Sequence, residues 1–193
     1  MIKIVRPQCP NPTALATNYK HPENKAALSA ASFDKCIYCE SKISHTYYGD
    51  IEHLKPKAKY RNLEFVWENL GYVCARCNGI KDDKYDEANP FLNPYDEDPE
   101  EHLIALGAII TYKSSSPRGK STIDENEGVH LNRPQLVERR YEKLKLIEKI
   151  IDLSEKVDAD TKSHTIEELK NEAEVDKEYS LTIKHLLKAR GVV

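Results

Sequence analysis

The sequence predicts an α+β fold, in which a cysteine-containing core with short strands precedes a mainly helical C-terminal region. Four of the five cysteines form two C-x-x-C pairs, a spacing typical of metal sites in cytosolic proteins. Short apolar runs lie between the pairs and after them, as expected for short strands. From Pro134 onward, apolar residues recur at three- and four-residue steps, which indicates helices.

The length and composition are those of a globular protein. The chain has 193 residues, enough to bury a core, with 32% charged and 39% hydrophobic residues. Its net charge of −3 does not by itself indicate nucleic-acid binding. No apolar run approaches the roughly 18 residues of a membrane span, and the N-terminus lacks the apolar stretch of a signal peptide. We therefore expect a cytoplasmic protein that does not enter a membrane.

We expect three parts along the chain. Residues 1–35 form an N-terminal extension, with a short strand at Ile2 and Ile4 and an Ala-rich helix after it. Residues 36–100 contain the two cysteine pairs, the residues between them and an acidic loop. Residues 101–193 form a hairpin and a helical region, which is a candidate surface for docking a partner.

Local signals place the elements of the C-terminal region. Two apolar runs around Gly107 predict a hairpin, and a polar loop is expected over residues 114–120. Pro134 suits the first turn of a long helix. The pattern Thr165-Ile-Glu-Glu168 is a capping box, so a second helix is expected to begin there. Apolar residues after Tyr179 predict a last helix.

The two C-x-x-C pairs predict one structural zinc site. Cys36 and Cys39 form the first pair and Cys74 and Cys77 the second, and this spacing lets both thiolates of a pair reach one tetrahedral ion. Four thiolates leave no open position, so the ion contributes folding energy rather than chemistry. The alternatives are a redox C-x-x-C or buried free thiols, which two pairs in one chain make less favourable.

The residues between and after the pairs form a motif. Asp50-Ile-Glu52-His53-Leu-Lys-Pro56 is followed by Trp67-Glu-Asn69, and Asn78 comes directly after the last cysteine. Over about residues 36–85, this order resembles the HNH endonuclease superfamily in its zinc-knuckle form. The resemblance implies a ββα-metal core, in which a β-hairpin packs on a helix around one catalytic divalent ion. It also implies hydrolysis of phosphodiester bonds.

The resemblance assigns a role to each of four residues. His53 is the general base that takes a proton from water. Glu52 and Asn78 offer a carboxylate and an amide oxygen to a catalytic Mg²⁺ or Mn²⁺. Asn69 orients the ring of His53, although an Asn before Leu-Gly could instead simply make a turn. Asp50 lies two residues before Glu52 and is an alternative ligand that the sequence leaves open.

The residues around the motif are mildly basic. Residues 53–85 contain seven basic and four acidic side chains, so the local balance is 7 − 4 = +3. Backbone phosphates dominate nucleic-acid affinity, but an ordinary mixed-charge surface has a similar count. Four basic residues are candidates for contacting nucleic acid: Lys55, Lys57, Arg76 and Lys81. Nothing in the motif is suited to reading bases, so we expect low sequence specificity.

Three aromatic side chains precede the motif: His45, Tyr47 and Tyr48. They are candidates either for stacking on bases or for packing against the zinc knuckle. Packing is the favoured interpretation, because aromatic side chains bury large areas.

A second, broader similarity extends to about residue 140. Asn89-Pro-Phe-Leu-Asn-Pro94 and Leu131-Asn-Arg-Pro-Gln-Leu136 are similar to segments of the HNH proteins of Septu-type and retron-associated phage defence, the PtuB group. This similarity implies the nuclease effector of an anti-phage complex, with an SMC/ABC-type ATPase partner like PtuA.

The main hypothesis is therefore a metal-dependent endonuclease that cleaves DNA with low sequence specificity. One alternative is a zinc module that binds nucleic acid or protein without cleaving it. The other is an HNH ribonuclease that acts on structured RNA such as tRNA, since the same chemistry cleaves either backbone.

Overall fold

The computed structural model describes residues 1–43 and 48–193, and it is an α+β fold with two small antiparallel sheets. The strands are β1 (Asp50–His53), β2 (Leu70–Val73), β3 (Leu103–Leu106) and β4 (Ile109–Tyr112). The helices are α1 (Pro12–Leu15), α2 (Pro22–Ala31), α3 (Ala75–Lys81), α4 (Pro117–Ile123), α5 (Pro134–Ser154), α6 (Ala159–Asn171) and α7 (Ser180–Ala189).

The centre of the fold is a hairpin followed by a helix. β1 pairs antiparallel with β2, with Glu52 opposite Gly71 and His53 opposite Leu70. α3 begins two residues after β2 and packs against β1. This is the ββα order that the motif implies, and the predicted fold class is confirmed.

The first cysteine pair packs directly on the hairpin. The amide of Ile37, between Cys36 and Cys39, donates to the carbonyl of Tyr72 on β2 at 3.1 Å. A side chain at Gly71 would come within 2.5 Å of Ile37 Cδ1, so only glycine lets the pair approach this closely. The two cysteine pairs are thereby held at one end of the hairpin.

The N-terminal extension is fixed to the same core. The Arg6 guanidinium donates to the carbonyls of Trp67 and Leu70 at 2.9 and 2.8 Å, and Trp67 Nε1 donates to the carbonyl of Pro7 at 2.8 Å. Buried side chains from the extension, the hairpin and the C-terminal region share one cluster, which includes Met1, Leu28, Leu70, Leu103, Leu131 and Leu181. The extension therefore packs as part of the fold.

The helical C-terminal region has a smaller core of its own. α5 begins at Pro134 as predicted, and Ile147 and Ile151 from this helix pack with Leu169 of α6 and Ile183 of α7. The hairpin over residues 103–112 is also confirmed.

Three local predictions were wrong. α6 begins at Ala159 rather than at Thr165, because the Asp158 carboxylate accepts from the Thr161 amide at 2.9 Å and caps the helix earlier. The predicted loop over residues 114–120 contains the start of α4, which Ser116 caps by accepting from the Gly119 amide. The segment around Ile4 makes a single backbone bond to Pro94 and forms no strand.

Two further expectations concern the three aromatic residues before the motif and the absence of a membrane span. His45 and Tyr47 lie outside the described residues, whereas Tyr48 is 88% exposed and does not pack into the cysteine cluster. Within residues 1–43 and 48–193, none of the helices combines the length and apolar character that crossing a bilayer requires.

Candidate active site

The end of β1 opens into a cavity of about 340 Å³. His53, Glu52 and Asn78 all line it, so the structure brings together the proposed base and both proposed metal ligands. Neighbours on a regular strand point to opposite faces, but β1 ends at His53. Both residues therefore line the same cavity at the strand end.

The His53 ring is fixed by two contacts. Its Nε2 donates to the Glu64 carbonyl at 3.0 Å, and the Tyr19 ring meets it edge-on with a centroid separation of 4.5 Å. A carbonyl only accepts, so the proton lies on Nε2 and the lone pair on Nδ1. Nδ1 has no hydrogen-bond partner among residues 1–43 and 48–193. Burial lowers the pKa of His53, which keeps the ring neutral and able to accept a proton.

Glu52 is buried beside a buried cation. The ammonium of Lys81 lies against Glu52 Oε1 and donates to the His53 carbonyl at 2.9 Å. Glu52 Oε1 has no well-aligned hydrogen bond among the described residues. Burial raises the pKa of Glu52 to about 7, although the Lys81 charge acts in the opposite direction. The Lys81 ammonium is therefore the partner of Oε1, and Glu52 lines the cavity as a carboxylate, a type of ligand that hard cations prefer.

Asn78 faces the cavity from α3. Its Nδ2 donates to Asp50 Oδ2 at 3.1 Å. Asp50, which the sequence left open as an alternative metal ligand, therefore orients the Asn78 side-chain amide. This bond leaves the Asn78 carbonyl oxygen as the atom that could bind a cation. Asp50 itself is not among the residues that line the cavity.

Asn69 holds the loop after β1 and does not hold the His53 ring. Its Oδ1 accepts from the Lys55 amide at 2.7 Å, and its Nδ2 donates to the carbonyls of Lys55 and Leu63 at 3.0 and 3.2 Å. The ring is instead oriented by Glu64, which follows Leu63. Asn69 therefore acts on His53 only indirectly, through the loop that presents the Glu64 carbonyl.

Replacing Asn69 with alanine is expected to lower the free energy of unfolding by about 2–4 kcal/mol. Three hydrogen bonds of about 1 kcal/mol each are lost, and the Lys55 amide is left without a partner. Urea unfolding measures the change, with Asn126→Ala as the control because Asn126 is exposed. A change below 0.5 kcal/mol in Asn69→Ala would contradict this role.

The candidate basic residues are distributed over different surfaces. Lys57 is exposed and lines the His53 cavity, whereas Lys55 and Arg76 are exposed but line other cavities. Lys81 is fully buried, so its ammonium serves Glu52 and does not face solvent. Sequence reasoning missed Lys20, a cation from the N-terminal extension that also lines the His53 cavity.

The four cysteines form a cluster that fits one metal ion. Their sulfur atoms all lie within 4.8 Å of one another, and Cys39 Sγ is 3.9 Å from Cys74 Sγ. Tetrahedral zinc–sulfur bonds of about 2.3 Å place the sulfurs about 3.8 Å apart. The cluster therefore already has the dimensions of a tetrathiolate metal site.

The charge on these sulfurs is partly balanced by a residue that sequence reasoning did not assign to the cluster. Arg133, the residue before α5, places Nη2 3.5 Å from Cys77 Sγ. Burial lowers the pKa of Arg133, but the sulfurs of Cys77, Cys39 and Cys74 together raise it more, so the pKa is raised overall. The start of the helical region is thus in contact with the cysteine cluster.

Comparisons with known proteins agree with this geometry. A family model described as HNH endonuclease matches residues 36–84. The chain is 30% identical over 181 residues to Septu protein PtuB of Bacillus thuringiensis, an alignment that covers 86% of this chain and 68% of that protein. The chain belongs to the PtuB family. A second PtuB, from Bacillus mycoides strain KBAB4, is 33% identical over 162 residues, which cover 67% of this chain.

The relatives are longer than the matched region. The alignment covers 68% of the B. thuringiensis PtuB and 54% of the B. mycoides PtuB, so this chain spans about half the length of the second relative. The HNH match contains all four cysteines, His53, Glu52 and Asn78, whereas Tyr19 and Lys20 lie before it.

Proposed function

We propose that this chain is a metal-dependent HNH endonuclease that hydrolyses phosphodiester bonds. One observation carries the proposal. The Glu64 carbonyl holds the His53 ring through Nε2, Nδ1 has no hydrogen-bond partner among the described residues, and His53 lines one cavity together with Glu52 and Asn78. In this role Nδ1 accepts a proton from the attacking water, as a general base that operates near neutral pH.

The proposed catalytic ion is Mg²⁺ or Mn²⁺. The Glu52 carboxylate and the Asn78 side-chain carbonyl oxygen would hold it, since hard cations prefer carboxylate and amide oxygens. When bound, such an ion stabilises negative charge on the scissile phosphate and on the leaving oxygen. Asp50 orients Asn78 through its hydrogen bond, and Lys81 compensates part of the Glu52 charge. The position of Glu52 and Asn78 on one cavity supports this assignment.

The proposed ion in the cysteine cluster is zinc. Four sulfurs at tetrahedral spacing are a closed site, and soft thiolate ligands favour zinc over Mg²⁺ or Mn²⁺. Its role is to fix the hairpin and α3 relative to each other, because Cys74 and Cys77 lie at the start of that helix.

The proposed substrate is DNA, cleaved with low sequence specificity. Lys57 and Lys20 are the cations that line the His53 cavity, and they suit backbone phosphates rather than base edges. Structured RNA carries the same phosphates, so an RNase is the alternative that the assay has to separate. Incubating labelled DNA and total RNA side by side with the protein separates the two.

The name of the relatives supports a place in anti-phage defence. Both are Septu PtuB proteins, and we propose that this chain likewise acts as the nuclease of a defence complex with a PtuA-like ATPase. Affinity purification of the tagged full chain from its host tests the partnership. Recovery of no ATPase under conditions that preserve nuclease activity would argue against it.

Cleavage is expected to depend on a divalent ion that is distinct from the zinc. Plasmid nicking with Mg²⁺ or Mn²⁺ should be lost in EDTA and restored by adding either ion in excess. The protein's zinc content is measured before and after, because a structural site should release its ion far more slowly. Binding of DNA without divalent-dependent turnover would instead favour the non-catalytic zinc module.

A further inference from the structure

The N-terminal extension supplies an aromatic side chain to the His53 cavity. Tyr19 lies between α1 and α2, outside the segment that matches the HNH family model. Its ring meets the His53 ring edge-on, at a centroid separation of 4.5 Å and an interplanar angle of 67°. This geometry is one that aromatic pairs prefer, so the contact restricts rotation of the His53 ring.

Tyr19 also belongs to a closed set of contacts around that ring. The ammonium of Lys57 donates to the Tyr19 hydroxyl at 3.1 Å and to Glu64 Oε1 at 3.3 Å. The carbonyl of the same Glu64 accepts from His53 Nε2. Tyr19 therefore braces His53 directly through its ring and indirectly through Lys57 and Glu64.

The two supports of His53 act on different parts of the ring. The Glu64 carbonyl fixes the position of Nε2 and thereby the tautomer of His53. One hydrogen bond still leaves the ring free to rotate around Nε2. The Tyr19 edge contact limits that swing, which decides where Nδ1 points. A general base loses rate steeply when its geometry relaxes, since a misplacement of about 1 Å can cost about a hundredfold.

We propose that Tyr19 is a positioning residue for His53, so that the N-terminal extension completes the nuclease site. The inference rests on the proposed function. We attribute most of the positioning effect on His53 to the aromatic ring of Tyr19 rather than to its hydroxyl. We also predict that the effect falls on kcat, because Tyr19 orients the base and Lys57 provides the phosphate-facing charge.

Four proteins test this role: the wild-type chain, Tyr19→Leu, Tyr19→Phe, and the control Tyr141→Leu. Tyr141 is 58% exposed on α5, far along the chain from the cavity residues. Tyr19→Leu should lower kcat for plasmid nicking by about tenfold or more with KM changed less than about twofold. Tyr19→Phe should keep kcat near the wild-type value, and Tyr141→Leu should change neither constant.

A measurement without turnover accompanies the kinetics. In the NMR spectrum, the His53 ring protons should shift when Tyr19→Leu removes the neighbouring aromatic ring, and should stay near their wild-type positions in Tyr19→Phe. Thermal unfolding midpoints of all four proteins show whether any variant is unfolded. If Tyr19→Leu is unfolded, Tyr19→Phe still tests the inference, because a loss of kcat in this variant contradicts a ring-based role.

The outcomes separate this inference from the proposed function. Wild-type cleavage together with unchanged kcat in folded Tyr19→Leu overturns the role of Tyr19 alone. No cleavage by the wild-type protein, with Mg²⁺ or Mn²⁺ present and zinc bound, overturns the proposed function and this inference with it. An increase in KM without a change in kcat would also contradict positioning and indicate a substrate contact.

Discussion

Replacing His53 with alanine is expected to reduce the rate of divalent-dependent nicking by about 10²- to 10⁴-fold. The structure leaves Nδ1 as the open lone pair of a neutral ring, and no other imidazole lines this cavity among the described residues. The residual rate comes from phosphate binding and charge stabilisation, which the substitution leaves in place. Initial rates of supercoiled plasmid conversion, measured with excess Mn²⁺, give the ratio.

The fold should not change with this substitution. His53 contributes one hydrogen bond and one aromatic contact, so a loss of about 1–3 kcal/mol in unfolding free energy is expected. His164→Ala is the matched control, because His164 is exposed on α6. If His53→Ala cleaves at the wild-type rate while retaining zinc, another group is the base and the assignment fails.

Replacing Cys77 with serine is expected to abolish metal retention in the cysteine cluster and to unfold the hairpin with α3. Apparent binding free energies for structural zinc are about 10–16 kcal/mol, comparable with the whole stability of a typical domain, about 5–15 kcal/mol. Cys77 is fully buried, and its loss also leaves the Arg133 guanidinium facing a truncated cluster. Zinc per chain by elemental analysis and the thermal unfolding midpoint measure the effect.

Cys9→Ser is the matched control for this experiment. Cys9 lies outside the cluster, and its sulfur donates a weak bond to Asn24 Oδ1 at 3.5 Å. This variant should retain one zinc per chain and a midpoint within a few degrees of the wild-type value. A folded Cys77→Ser protein with full zinc content would show that the ion is held elsewhere.

Elements with local signals were predictable from the sequence. The cysteine pairs, the hairpin around Gly107 and the start of α5 each depend on spacing or on a residue that restricts the backbone. α6 begins before Thr165 because Asp158 is also a good N-cap. The Thr165–Glu168 capping-box pattern lies inside the helix, where it only resembles a helix start. The polar residues in the first turn of α4 predict a loop, although Ser116 caps a helix there.

The candidate site shows where sequence reasoning ends. His53, Glu52 and Asn78 line one cavity because they lie on β1 and α3, which the motif order already implied. The burial of Lys81 could not be foreseen, since it depends on how α3 packs against β1. No sequence pattern indicates a role for Tyr19. It lies 34 positions before His53 (53 − 19 = 34), and only tertiary packing brings it beside the His53 ring.

The contact between Arg133 and Cys77 couples two parts of the molecule mechanically. Arg133 immediately precedes α5, a helix of 21 residues with a length of about 30 Å. A tilt of α5 at its first turn would move the Arg133 guanidinium relative to the cysteine cluster. A displacement of α5 would therefore act on Cys77 in α3, the helix that also carries Asn78.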